Sequence, residues 1–207
     1  MSFGRYLISL CLSVTLMLPA LADSHSEDYV RKNASEVLAS LNAPGLSADD
    51  RRAQFQTYMD EFTNIEAVAK FVIGKYSKRF SDDEMTTYLE AFRNYALVVY
   101  EYYFNQYRGK DVKVTGSIDR NARDSIVDTQ IVSMDGQAMK VRWRVLNRNG
   151  KYQVVDVALS AEGNLIWLAI EQQAQFLSIL DKNRGSVEAL TSKIEEMTAE
   201  LIAQRPT

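Results

Sequence analysis

The sequence predicts an α+β fold: a four-stranded antiparallel curled sheet, a meander, packed against N-terminal and C-terminal helices, with an apolar pocket between sheet and helices. Three observations predict it. Apolar residues recur at helical spacing up to about Gly109, alternate with period two from Val112 to Leu159, and return to helical spacing from about Gly163. The joints within the alternating part are "DRNARD", "DG" and "NRNG", all hairpin chemistry. Only three prolines occur, Pro19, Pro44 and Pro206, and no linker or repeat interrupts the chain, so its helical and sheet parts form one domain.

The first residues stand apart from that domain. Arg5 is followed by the apolar run "YLISLCLSVTLML", which is short for a bilayer span, and then by "PALA", with small residues at 20 and 22. This is the pattern of a secretory signal peptide over residues 1–22, leaving 23–207 as the folded domain. The only cysteine, Cys11, lies inside the leader, without the small residues that a lipoprotein signal places before its cysteine. The domain therefore has no thiolate chemistry and no disulfide, and must stand on its core. The only histidine is His25, near the start of that domain, which argues against a histidine triad or a histidine metal site. No cofactor is expected. A formal net charge of −3 offers no broad basic face for nucleic acid.

The elements follow in order. Residues 28–41 carry Val30, Ala34, Val37, Leu38 and Leu41 on one helical face, and "NAPGLS" breaks that helix. Ser47 caps a helix over 48–62, with Asp49 and Asp50 in its first turn. Thr63 to Glu66 has capping-box spacing and starts a short helix ending near Gly74; Ser81 to Glu84 repeats the spacing and starts a long helix that Gly109 stops. Four strands follow: one beginning with Val112 and Val114, then 125–133, 138–147 and 151–159. In the third, Met139, Val141, Trp143 and Val145 share one face, while Lys140, Arg142 and Arg144 share the other, where they meet solvent or pair with acids on neighbouring strands. A helix with Leu165, Ile166, Trp167, Ile170, Phe176, Leu177 and Leu180 comes next, and Ser186 caps a last one over 187–203.

The long helix is unusual. Residues 87–110 hold six of the chain's eleven tyrosines. On ideal 100° steps, its aromatic and aliphatic residues cover an arc of about 160°, wider than the stripe of a little over ~100° that one core needs. Such a helix faces two apolar bodies, or one body and a cavity. Tyrosine suits a wall that is apolar along its length and polar at its rim.

Residues 46–109, "LSADDRRAQFQTYMDEFTNIEAVAKFVIGKYSKRFSDDEMTTYLEAFRNYALVVYEYYFNQYRG", together with "VRWRVLNRNGKYQVVDVALSAEGN", resemble the MlaC-type periplasmic phospholipid-binding proteins, also called the toluene-tolerance auxiliary family. The resemblance spans roughly 28–201 and rests on the ordered set "LS-x-x-x-RR", "F-V-x-G-x-Y", "VRWRV" and "VVDV". Two departures stand out: Ser77–Lys78 where the family often has Trp-Arg, and no arginine ahead of Phe176. The resemblance implies a periplasmic lipid carrier. It would shuttle phospholipid between an outer-membrane lipoprotein complex and an inner-membrane ABC transporter with an MCE-domain ring, maintaining outer-membrane lipid asymmetry. Its cargo would be phospholipid, its state a monomer, and it would not be an enzyme.

Carrying a lipid through water requires its tails to be enclosed. Two chains of about fourteen methylenes, at about 0.8 kcal/mol each, total on the order of 20 kcal/mol before ordering costs. The cavity is expected near or above the top of the usual ~300–1,000 Å³ range, although tight packing would leave the fold partly collapsed without lipid. The candidate wall is Phe71, Phe92, Tyr95, Val99, Tyr103, Val141, Trp143, Val145, Val155, Val157, Trp167, Phe176 and Ile179. Val154 competes with Val155 and Val157 for the inward face. Arg51, Arg52, Lys75, Lys78 and Arg79 form either a basic patch for a headgroup or partner, or a solvated face, and Asp156 reads as a structural acceptor. Two other readings remain. A small α+β enzyme would use Asp128, Asp156 and tyrosines for acid–base chemistry. A periplasmic chaperone or adaptor would bind apolar segments.

Overall fold

A computed structural model describes residues 24–106, 109–133, 136–161 and 164–204. Four helices come first: α1 (Ser24–Asn42), α2 (Ala48–Phe62), α3 (Ile65–Val72) and, after a 3₁₀ turn at Gly74–Lys78, α4 (Asp82–Gln106). Five strands follow, β1 (Gly109–Asn121), β2 (Asp124–Ser133), β3 (Ala138–Arg148), β4 (Lys151–Ala161) and β5 (Asn164–Trp167). Two helices, α5 (Leu168–Lys182) and α6 (Val187–Ala203), complete the chain. The signal-peptide expectation falls on 1–22, outside the described residues.

The helix starts obey local chemistry. Ser47 Oγ accepts from Asp50 N at 3.1 Å, and Ser186 Oγ from Ala189 N at 3.1 Å. At α4 the capping box closes from both sides: Ser81 Oγ accepts from Glu84 N at 3.3 Å, and Glu84 Oε2 accepts from Ser81 N at 2.8 Å. The exposed Glu84 carboxyl is held below its ordinary pKa, first by that backbone bond and then by the Ser81 hydroxyl. At α3 the cap lies one residue later than the sequence suggests. Asn64 Oδ1 accepts from Ala67 N at 2.9 Å, while Thr63 turns its hydroxyl back to Met59 O and bridges Val154 of β4.

The sheet has five strands, not four, ordered β1-β2-β3-β4-β5 and antiparallel throughout. Leu165, Ile166 and Trp167 are strand, not the start of a helix: they pair with Ser160, Leu159 and Ala158. Four residues are too few for periodicity to separate strand from helix, and the ladder to β4 decides. The β3–β4 joint is a two-residue turn at Asn149 and Gly150, both with positive φ (56° and 85°), between the paired Arg148 and Lys151. That is the geometry that Asn-Gly favours. A bulge in β4 between the Arg144–Asp156 and Val145–Val154 pairs changes its parity, so Val154 and Val157 are both buried while Val155 is half-buried.

The core lies between the sheet's inner face and the helices. Trp143, 1% exposed, is its largest fully buried side chain. Its ring packs on Phe62 of α2 at 5.3 Å between centroids, and its indole N–H donates to Thr129 Oγ1 at 2.8 Å. On the outer face Arg142 makes two bonds to Asp128 (2.6 and 3.0 Å), and Arg144 makes two to Asp124 (3.1 and 2.9 Å), which Arg120 also reaches at 3.2 Å. These are the cross-strand pairs expected of a polar face opposite Trp143.

Helix α4 faces more than one apolar body. It packs chiefly against α6, whose Val187, Leu190 and Ile194 are buried, and on another side against α3. Two tyrosine hydroxyls answer helix-end carbonyls, which have no intrahelical donor. Tyr88 donates to Ala69 O of α3 at 2.8 Å, and Tyr29 to Phe62 O at the end of α2 at 2.9 Å. Burial pushes the Tyr29 phenol up to about 12 and Tyr88 higher still, so both remain donors.

Candidate functional site

The candidate site is the seam where α3, α4 and α5 meet above the inner face of the sheet. Each wall follows from an element's periodicity. Phe92, Tyr95, Ala96, Val99 and Tyr100 project from successive turns of α4; Ile65, Val68 and Val72 come from α3; Leu168, Ala169 and Gln172 come from the first turns of α5. Together with Thr63 these residues surround a helix-side void of about 40 Å³. A second, sheet-side void of about 10 Å³ lies among Tyr100, Leu168, Ile131, Met139, Val141, Trp143, Val157 and Leu159. Apart from the Tyr100 phenol its lining is made entirely of apolar residues.

Among the described residues these two voids do not show the expected roomy chamber. At roughly 10–15 Å³ per water, they hold a few waters at most, far less than two acyl chains. Phe176 is fully buried, with its ring 6.1 Å from Phe92, 6.3 Å from Tyr95 and 6.5 Å from Tyr88. Apolar walls on mobile side chains close on one another because dispersion contacts and burial reward contact over a gap.

Among the predicted wall residues, Phe92, Tyr95 and Val99 line the helix-side void, and Val141, Trp143 and Val157 the sheet-side void. Val145 is buried in the core, Phe176 belongs to the aromatic cluster, and Ile179 is half-buried against it, all without lining either void. Phe71 is 41% exposed on α3, Val155 sits at the bulge, and Trp167 is half-buried at the end of β5. The side chain of Tyr103 lies outside the described residues. Sequence reasoning missed Tyr100 and Leu168, the two residues common to both voids. Tyr100 stood at the edge of the apolar arc of α4, a usable signal; Leu168 was hidden by reading β5 as helix.

Polar groups at the seam are few and mostly spoken for. Tyr95 Oη donates to Gln172 Oε1 at 2.7 Å, and Gln173 Nε2 donates to Phe71 O at 2.7 Å. Asp156, 5% exposed, accepts from Val157 N (2.8 Å) and from Ala169 N in the first turn of α5 (2.9 Å). It serves as the structural acceptor expected of it. Burial raises its pKa, against the pull of those two N–H groups and of Arg144. Asp128, the other carboxylate considered for acid–base work, is held on the outer face by Arg142. The five basic residues do not gather into one free patch. Arg51 reaches Leu46 O at 3.2 Å, Arg52 lies 3.5 Å from Glu101, and Lys75 lies 2.8 Å from Asp181. Lys75 and Arg79 also stand over the Tyr76 ring at 5.2 and 4.9 Å. Among the described residues no cluster of His, Cys, Asp or Glu is placed to hold a metal ion.

The MlaC protein family matches residues 31–196. No curated protein matches the chain. Among solved structures, the fold resembles a phospholipid-binding protein from Ralstonia solanacearum, solved in complex with a phospholipid. The TM-score is 0.72 at 17% identity, covering 86% of this chain and 98% of that one. The family match spans most of the sequence, so the chain belongs to the MlaC family.

Proposed function

We propose that this member of the MlaC family is a periplasmic phospholipid carrier rather than an enzyme. It takes lipid tails into the seam between α4, α5 and the sheet and ferries lipid between an outer-membrane lipoprotein complex and an inner-membrane ABC transporter with an MCE-domain ring, so maintaining outer-membrane lipid asymmetry. The observation that carries the reading is the seam itself: two voids, walled mainly by apolar side chains, meeting at Tyr100 and Leu168. The family match and the phospholipid held by the Ralstonia protein support the same reading.

The closed seam gives the mechanism its shape. Tails enter by prising side chains apart, and burial of their methylenes, at about 0.8 kcal/mol each, offsets the lost contacts. The polar rim at Tyr95 and Gln172 leaves the headgroup in water, where no buried charge is needed to hold it.

Mass spectrometry of an organic extract of the natively purified protein tests the reading, followed by thermal unfolding before and after lipid removal. Extractable phospholipid, with a melting temperature that falls when it is removed, is the expected result. Protein that yields no lipid, and whose melting temperature is indifferent to added phospholipid, is no carrier.

A further inference from the structure

The two voids share only Tyr100 of α4 and Leu168 of α5, so these side chains form the partition between them. The two leaves are held differently. Leu168 is fixed: the preceding Trp167 pairs with Ala158 in the sheet, and the following Ala169 gives its N–H to Asp156. Tyr100 packs half-buried against the core, but its hydroxyl makes no hydrogen bond among the described residues. Its neighbour Tyr95, by contrast, is tied to Gln172. Burial, and then the charge of Asp156, push the Tyr100 phenol up, so it stays neutral. Of the two leaves, the Tyr100 ring, without a hydrogen bond among the described residues, is the one free to swing in the reading that follows.

Beyond this leaf lies an environment for one ligand class. The sheet-side void is walled by Ile131, Met139, Val141, Trp143, Val157 and Leu159. The one polar atom of Trp143 is already bonded to Thr129, and Met139 adapts easily to a changed occupant. Nothing there would hold a headgroup; once the space opens, its lining suits an alkyl chain. The helix-side void, in contrast, carries Tyr95, Gln172 and Thr63 in its lining.

We propose that Tyr100 is a specificity-determining partition that sets whether this protein accepts a one-chain or a two-chain amphiphile. With the ring in place, one acyl chain is confined to the space between α3, α4 and α5. With the ring swung aside, the space against the sheet opens and a second chain follows. The proposal rests on the carrier reading above and adds to it the residue that counts the chains.

Native mass spectrometry of the delipidated full chain, offered equal amounts of a diacyl phosphatidylglycerol and its one-chain lyso counterpart, tests it. The readout is the ratio of two-chain to one-chain complexes. Tyr100→Phe keeps the ring and leaves the ratio unchanged. Tyr100→Trp cannot clear the passage and lowers the ratio by about tenfold or more. Tyr100→Ala removes the leaf and raises the ratio. Circular dichroism melts confirm folding, and if Tyr100→Trp does not fold, Met139→Phe, which narrows only the sheet-side void, replaces it with the same expected fall. Ratios within about twofold of wild type in both a narrowing variant and Tyr100→Ala overturn the partition while leaving the carrier reading standing. Wild-type protein that binds neither lipid overturns the carrier reading, and the partition with it.

Discussion

Tyr95 of α4 donates its hydroxyl hydrogen to the side-chain oxygen of Gln172 on α5 across 2.7 Å. Both residues line the helix-side void, and below them the two helices meet through the rings of Phe92 and Phe176. This bond is a polar clasp on an apolar seam. Tyr95→Phe keeps the ring and removes the clasp, with an expected stability loss of about 0.5–1.5 kcal/mol. Lipid exchange is expected to quicken, because a seam held by fewer contacts opens more often. Denaturant unfolding, together with the transfer rate of a fluorescent phospholipid, checks both effects; transfer no faster than in wild type would remove the clasp from the mechanism.

Asp156 joins the sheet to α5 through Ala169 N–H, and its pKa is raised chiefly by burial. A raised carboxyl contributes stability that is fully present below the unfolded-state pKa and is lost as pH rises through the folded-state pKa. Arg144 and the N–H groups of Val157 and Ala169 oppose that loss without reversing it, and Tyr100, itself pushed up, adds no charge in this range. Asp156→Asn keeps an acceptor without the buried charge, so its stability is expected to lack this pH dependence, matching wild type in acid and exceeding it at neutral pH. Asp156→Ala strands the buried Ala169 N–H, at a cost of about 1–3 kcal/mol. Melting temperatures across the acidic range separate the three proteins.

Tyr88 is fully buried and donates to the carbonyl of Ala69 in α3. Tyr88→Phe leaves that carbonyl without its donor and is expected to cost about 1–3 kcal/mol with little change in lipid affinity, since Tyr88 lines neither void. Equilibrium unfolding and lipid titration measure the two quantities separately.

Trp143 depends on Thr129 in the same way, its indole N–H donating to that hydroxyl inside the sheet face. Thr129→Val preserves shape while orphaning the N–H. A loss of about 1–3 kcal/mol is expected in denaturant titrations, and a change in the tryptophan fluorescence spectrum should accompany it.

Gly185 closes the turn between α5 and α6 with φ of +84°, and a Cβ there would lie 2.8 Å from the Tyr76 ring. That ring is held by its hydroxyl bond to Asp181. Gly185→Ala therefore meets both a left-handed backbone and a clash, with an expected cost of about 1–3 kcal/mol or more. A melting temperature equal to that of wild type would show that the turn and ring shift together at no cost.

Much of this architecture could be read before any coordinates. The serines at 47, 81 and 186 cap where local chemistry places them, and Asn149–Gly150 makes the tight hairpin its type favours. Arg142 and Arg144 find acids on the next strand because alternation carries every second residue to the same face. What could not be read involves partners distant in sequence. The fifth strand exists because β4 offers a ladder to Leu165–Trp167, and the α3 cap moves to Asn64 because Thr63 is drawn to Met59 and Val154. Val154 and Val157 both turn inward because of one bulge, which alternation alone does not announce.

By itself the sequence determined the order of the helices and of the first four strands, the apolar breadth of the tyrosine helix and the resemblance to the MlaC family, because periodicity, turn chemistry and motif order are local. Only the tertiary structure decided the space left at the seam among the described residues, and that Tyr100 and Leu168 line both voids. A cavity is a difference between enclosed volume and side-chain volume. It therefore depends on how residues far apart in the chain settle against one another, a quantity carried by no single segment.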